Sequence, residues 1–231
     1  MPEDLTNEMI TEMARAGVFF GHKKSKTHPR MKPFIGGIRN EIELIDPQTT
    51  FDSLNNAISF LKEKIKAGGL MLVVGTQAAA KEAVEELALE FKFPYVVSRW
   101  LGGTMTNFKV ITDRLKYYED LKLKKEKGEL AKYTKKEQLE FSKEISRLSE
   151  FFEGLINLKK VPDILFVVDI QTHETGVREA KKLNIPAVAV LDTDDNPDLV
   201  KYPIFANDHA KSSIEWIVKR IKDELRKEIP R

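Results

Sequence analysis

Four apolar runs, Leu70–Val74, Tyr95–Ser98, Ile164–Val168 and Ala187–Leu191, constrain the fold of this chain more than anything else in it. None keeps the alternation of apolar and polar residues that marks a strand with one wet face, so each reads as a strand covered on both sides. A shorter run, Ile204-Phe205, follows them. Stretches with helical period at about residues 77–91, 174–183 and 209–228 separate and follow the runs. Strand and helix in turn, joined by right-handed crossovers, predict an α/β protein with an open, doubly wound, mostly parallel five-stranded sheet.

Two segments depart from that rhythm. At the N-terminal side, Leu5, Met9, Ile10 and Met13 predict a short amphipathic helix over 4–16 that ends at Gly17. Val18 to Arg30 is basic and broken by proline, and reads as a loop or extended arm. Phe34–Ile38 and Glu41–Ile45 then suit a hairpin turned at Arg39-Asn40. Phe51, Leu54, Ile58, Leu61 and Ile65 mark a helix that stops at Gly68-Gly69. In the middle, Thr104 to about Leu158 holds no strand pattern. Phe108, Ile111, Leu115 and Tyr118 are spaced as one helical seam, and Ile145, Leu148, Phe152 and Leu155 as another. Thr134 with Glu137 fits a capping box for the second helix. The expected organisation is an α/β domain over 1–104 and 155–231, with an N-terminal basic arm and an antiparallel coiled-coil hairpin inserted at 105–154.

Composition excludes several classes of chemistry. Cysteine is absent, which removes disulfides, thiolate metal sites and cysteine nucleophiles. No apolar run approaches the roughly 20 residues of a spanning helix, and the acidic start Met1-Pro2-Glu3-Asp4 is unlike a signal peptide. A soluble, cytoplasmic protein without membrane contact is expected. The net charge is only +2, but it is segregated: between Glu12 and Glu41 there is no acidic residue.

An α/β sheet invites an enzyme hypothesis, with a sugar-phosphate or nucleotide held by Gly75-Thr76 and Asp192 at the carboxyl ends of strands. Against it, neither glycine-rich phosphate motif is present, no serine sits in a nucleophile elbow, and His22, His28, His173 and His209 lack helical metal-ligand spacing. Asp192, Asp194, Asp195, Asp198 and Asp208 lack the order of a calcium loop and read as solvated turns and a cap for the last helix. No catalytic group, metal site, cofactor or small-molecule substrate is expected. A protein-interaction module working through the hairpin is a third reading.

What remains is binding. The arm gathers His22, Lys23, Lys24, Lys26, His28, Arg30, Lys32 and Arg39 beside Phe19, Phe20 and Phe34. Such cations neutralise phosphates, and aromatic planes stack on unpaired bases. As a charged arm that buries little apolar surface, it is expected to be disordered until it docks. A second candidate is Arg99-Trp100-Leu101-Gly102-Gly103-Thr104-Met105-Thr106-Asn107, a glycine turn between a strand and a long helix. Arg99 and Lys109 flank it, and Thr104 or Thr106 is placed to cap the helix.

That nine-residue string resembles the most characteristic one of the bacterial small-subunit ribosomal protein S-two family. Gly21-His22 through Met31-Lys32-Pro33-Phe34-Ile35, Val74-Gly75-Thr76, Pro162 to Asp169, and Asp192-Thr193 with Asn207-Asp208 match in the same order, over nearly the whole chain. The sequence departs from the family's usual residues at Phe19, Thr27-His28, Gln77-Ala78 and Phe205–His209. The resemblance implies a flavodoxin-like sheet with an inserted coiled-coil hairpin. It also implies a non-enzymatic role in the small ribosomal subunit, with small-subunit ribosomal RNA and other small-subunit ribosomal proteins as partners. By the match of motifs, the arm and the turn, with Trp100, Gly102, Gly103, Thr104 and Asn107, are the expected RNA contacts.

Overall fold

The computed structural model describes residues 5–228, so the acidic stretch Met1–Asp4 lies outside it. Helix α1 (Asn7–Ala16) begins where the Thr6 hydroxyl accepts from the Met9 amide, and ends at Gly17 in the left-handed conformation. The arm that follows is not a loop. Phe20–Lys23 forms strand β1, and Ile35–Arg39 and Ile42–Ile45 form β2 and β3. Both β1 and β2 pair antiparallel with β3 in a small three-stranded sheet. Short 3-10 helices, of one turn at Lys24–Lys26 and two at Pro29–Phe34, connect β1 to β2. The expected hairpin is present, turned at Asn40 and Glu41, whose positive φ angles suit the twist of paired strands. The strand β1 was hidden in the sequence because its ends are exposed and its middle half-buried, so no alternation marks it.

Helix α2 (Pro47–Lys66) starts at Asp46, whose carboxylate accepts from the Thr49 amide, and leads into the main sheet. Its strands are β4 (Met71–Val74), β5 (Tyr95–Val96), β6 (Ile164–Val168), β7 (Ala187–Leu191) and β8 (Tyr202–Phe205). They lie in the order β5-β4-β6-β7-β8, and every neighbouring pair is parallel. Helices α3 (Ala78–Phe91), α6 (Glu174–Lys182) and α7 (Lys211–Arg226) complete the α/β layers.

Two separate cores explain the non-alternating runs. Met71, Val73, Phe166, Val168 and Val188 face one core with Leu61 of α2, Leu87 of α3 and Ile217 and Ile221 of α7. Their neighbours Leu72, Val74, Leu165, Val167 and Ala189 face the other, with Val177 and Ala180 of α6. Each such valine, leucine, isoleucine, methionine or phenylalanine stabilises the fold by about 1.5–3 kcal/mol relative to exposure, so both sheet faces must stay apolar.

The insertion forms helices α4 (Phe108–Glu126) and α5 (Lys135–Phe152), joined through a short helical turn at Glu129–Lys132. Ile111, Leu115, Tyr118 and Leu121 of α4 bury against Ile145 and Phe152 of α5, continuous with the second core. Both bonds of the Thr134–Glu137 capping box are made. The start of α4 differs from expectation. Asn107 holds the cap position without a side-chain bond, the Thr104 hydroxyl donates to the Leu101 carbonyl, and the Thr106 hydroxyl donates elsewhere.

Candidate nucleic-acid interface

The loop after β5 is folded around a carboxylate from another element. Glu179, on the buried face of α6, is only 7% exposed. Its Oε1 accepts from Trp100 Nε1 at 3.0 Å and from the Gly103 amide at 2.8 Å. Its Oε2 accepts from the Met105 amide at 3.1 Å, and from the amide and hydroxyl of Thr106 at 3.0 Å each. Burial opposes ionisation of Glu179, but these donors outweigh it and hold the carboxyl below the usual glutamate range. Gly103 takes φ +90°, which a side-chain-bearing residue resists. Arg99, Gly102, Asn107 and Lys109 are exposed around this turn, Trp100 and Gly103 are half-buried, and Thr104 is buried. The sequence had no reason to single out Glu179 by motif. Its one signal is position, since it falls on the same helix face as Gly176, Val177 and Ala180.

The basic arm is stitched to the carboxyl ends of β7 and β8 rather than disordered. The His22 amide donates to Thr193 Oγ1 at 2.7 Å, the His28 amide to the Thr193 carbonyl at 2.9 Å, and the Asn207 amide to the Val18 carbonyl at 2.9 Å. Thr27 donates to the buried carboxylate of Glu43 in β3. Lys23, Lys24, Lys26, Lys32 and Arg39 are exposed and make no ion pair with another described residue. Arg30 is exposed but already paired with Asp198. The half-buried His28 ring accepts from the Arg30 amide and so shapes its own turn.

His22 points into the cluster of aspartates at the ends of β7 and β8, a contact between arm and cluster that the sequence did not suggest. Its Nδ1 lies 3.2 Å from Asp192 Oδ2 and 3.3 Å from Asp194 Oδ1, close enough for an ion pair though outside hydrogen-bond geometry. His209 packs edge-on against it, with Nδ1 at 2.5 Å from Asp208 Oδ1. Asp192, Asp195 and Asp208 are all at most 2% exposed, so they are neither solvated turns nor a cap. No side chain caps α7: Ala210 holds the cap position, and Asn207 Oδ1 accepts from the His209 and Ala210 amides in the turn before it, at 2.9 and 2.8 Å. Asp195 Oδ1 and Asp208 Oδ2 have no hydrogen-bond partner among the described residues. Burial and the nearby Asp208 charge push Asp195 up to about 8, and burial pushes Asp208 up to about 7. The Asp208 hydrogen bond raises His209 to about 9, and the Asp192 contact raises His22. His22, Asp192 and His209 each offer one ligand atom, all within 4.8 Å of one another. Two imidazoles and a carboxylate at that spacing form a donor set able to hold a divalent cation.

At the carboxyl edge, the groups that the enzyme hypothesis would use at Gly75-Thr76 are already engaged. The Thr76 amide, the donor an anion would use, donates a hydrogen bond to His173 Nε2 at 3.3 Å. Gln77 and Thr172 donate to Asp169, and His173 Nδ1 meets the Asp169 carbonyl at 2.7 Å. A cleft of about 710 Å³ does exist, but Pro186, Ala187 and Tyr202 line it at the opposite, amino ends of β7 and β8.

A family model described as Ribosomal protein S2 matches residues 13–227. The small ribosomal subunit protein uS2 of Coprothermobacter proteolyticus is 42% identical over 216 residues, spanning 94% of this chain and 81% of that protein. That of Thermus thermophilus is 40% identical over 223 residues, spanning 96% and 86%. That of Rhodopirellula baltica is 38% identical over 221 residues, spanning 96% and 85%.

Proposed function

The chain belongs to the ribosomal protein S2 family, and on that premise we propose that it is a structural constituent of the small ribosomal subunit that binds small-subunit ribosomal RNA. The family is one of ribosomal structural proteins, not enzymes. Its partners are that RNA and neighbouring proteins of the subunit, and its place is the cytoplasm, with the ribosome. Among the described residues no helix is long and apolar enough to cross a membrane.

The observation that carries RNA contact is the pattern of unanswered positive charge. On the outer face of α3 and α7, Lys211 pairs with Glu82, Lys222 with Glu86 and Arg226 with Glu90, so that surface neutralises itself. Lys23, Lys24, Lys26, Lys32 and Arg39 on the small sheet, and Arg99 and Lys109 beside the loop, have no such acid partners among the described residues. The arm lies over the ends of β7 and β8, and the loop leaves β5 at the other end of the same edge. Four strand spacings separate β5 from β8, roughly 19 Å, so one folded RNA can meet both. Exposed cations and backbone supply affinity there, while Trp100 and Thr104 support the loop from beneath.

Binding of the purified chain to small-subunit ribosomal RNA across a salt series tests this. The expected slope is steep for wild type and falls by about one unit for each phosphate contact removed, in variants carrying Lys23, Lys24 and Lys26 or Arg99 and Lys109 as alanine. Salt-insensitive binding by wild type would sink direct RNA recognition.

A further inference from the structure

Five donors from one short loop converge on one buried carboxylate, an arrangement that ordinarily receives an anion from outside. Successive backbone N–H groups turned to one side of a loop form a nest for phosphate or carboxylate. Here the Gly103, Met105 and Thr106 amides, the Thr106 hydroxyl and the Trp100 indole already hold Glu179, at 2.8–3.1 Å. The helix that carries Glu179 is shaped to admit the loop. At Gly176, a Cβ would stand 3.2 Å from Trp100 Cε2, close enough that the indole would have to shift by a few tenths of an ångström. At Gly103, a Cβ would stand 3.0 Å from the Asn107 Cβ.

We propose that Glu179 is a positioning residue, the built-in anionic ligand of a nest formed by residues 100–106, and that filling this nest sets Arg99, Gly102, Asn107 and Lys109 in the geometry that meets RNA. This rests on the reading of that loop as an RNA contact. The chemistry asks for a carboxylate. Its two oxygens offer about four acceptor sites, whereas an amide has one acceptor oxygen and would turn its own N–H groups towards the loop's donors. Aspartate is one methylene too short to reach from the same helix position.

The full-length chain, Glu179→Ala and Glu179→Gln are compared in two readouts, each in sodium chloride and in sodium acetate of equal ionic strength. One is hydrogen exchange at the Gly103, Met105 and Thr106 amides. The other is binding to small ribosomal subunits stripped of this protein. In chloride, Glu179→Ala should speed exchange at all three amides and weaken subunit binding at least about tenfold, the scale expected when buried donors lose their acceptor. Acetate should restore both in part, because a small carboxylate can refill the emptied nest, as a general folding defect could not allow. Glu179→Gln should show an intermediate loss that acetate does not mend, since its side chain still fills the space.

Unchanged exchange in both variants, or rescue by acetate no greater than by chloride, overturns the proposal. The paired variant Arg99→Ala/Lys109→Ala tests the loop contact by itself. If it loses binding while Glu179→Ala keeps it, the positioning role falls and the contact stands. If neither loses binding, the reading of the loop as an RNA contact fails, and the positioning role with it. Should Glu179→Ala not fold, Glu179→Gln, which keeps the volume, decides by exchange and binding together.

Discussion

The two surfaces proposed to meet RNA each rest on buried carboxylates, and the two seats are built in opposite ways. Under the loop after β5, one glutamate receives five donors, so ionisation is favoured and its carboxyl is held low. Under the basic arm, Asp192, Asp195 and Asp208 crowd together with too few donors, two of their oxygens are unpartnered, and Asp195 and Asp208 are pushed up. The difference lies in geometry rather than residue type. A carboxylate reached by backbone amides is a fastening, whereas clustered carboxylates repel one another unless a proton, an imidazolium or a cation stands between them.

The largest effect is expected where the arm meets its seat most closely. A Cβ at Gly21 would stand 2.3 Å from Thr193 Cγ2 and 2.6 Å from its Oγ1, the atom that accepts from the His22 amide. Gly21→Ala should therefore lift the arm, lowering stability by about 2–3 kcal/mol as overpacking does, read as a shift in the urea midpoint. Adding Thr193→Ser, which removes the clashing methyl and keeps the hydroxyl, should recover part of the loss. An unchanged midpoint in Gly21→Ala would mean that the arm is not seated on Thr193.

Opposite pKa shifts predict opposite responses to pH, and this separates the two seats directly. A depressed carboxyl contributes stability that is present above its unfolded pKa and lost as pH falls through the folded value, so the Glu179 seat should loosen in acid. Raised carboxyls stabilise below their unfolded pKa and lose that contribution as pH rises, here through about 7 for Asp208 and about 8 for Asp195. His209, raised to about 9, loses its contribution in the same direction. Exchange protection should fall towards acid at the Gly103 amide and towards alkali at the His22 amide. Asp195→Asn should flatten the alkaline loss by about 1–3 kcal/mol, the scale of one buried unsatisfied group. The series needs a chelator control, because a cation held by His22, Asp192 and His209 would mask the repulsion. A common pH trend at both amides would refute the contrast.

The sequence disclosed these regions unequally, and for physical reasons. Strands β4, β6 and β7 were legible because two buried faces leave no polar position within them. The hairpin was legible because its seams and capping box are local patterns. The arm's cations were legible as composition, but not their fates. Whether Arg30 is free or paired, and whether His22 faces solvent or Asp192, depends on residues far away in the chain. The Glu179 seat was invisible for the same reason, apart from its place on an apolar helix face.

A finer distinction can be drawn within the loop, between two adjacent glycines. Gly102 is exposed, and a methyl added there would meet nothing within 4 Å, whereas Gly103 has φ +90° and Asn107 beside it. Gly103→Ala should cost about 1 kcal/mol and disturb the Glu179 bonds, whereas Gly102→Ala should fall within about 0.5 kcal/mol of wild type. Equal effects would show that the loop's shape does not depend on the nest.

The smallest effect concerns the arm's one exposed cation that already has an acid partner. Arg30 and Asp198 are 64% and 52% exposed at the side chain, so their ion pair is screened by water and contributes at most about 1 kcal/mol. For RNA binding the pairing matters more than for stability, because a guanidinium already answered by a carboxylate releases fewer counterions on meeting phosphate. Arg30→Ala should therefore change the salt slope less than Lys24→Ala, although both remove one positive charge. Asp198→Ala should then strengthen binding at low salt, by freeing Arg30 and removing a negative charge together. If Arg30→Ala instead lowers the slope by the full unit expected for a phosphate contact, Asp198 is displaced when RNA binds, and the arm's neutral pairing holds only in the free protein.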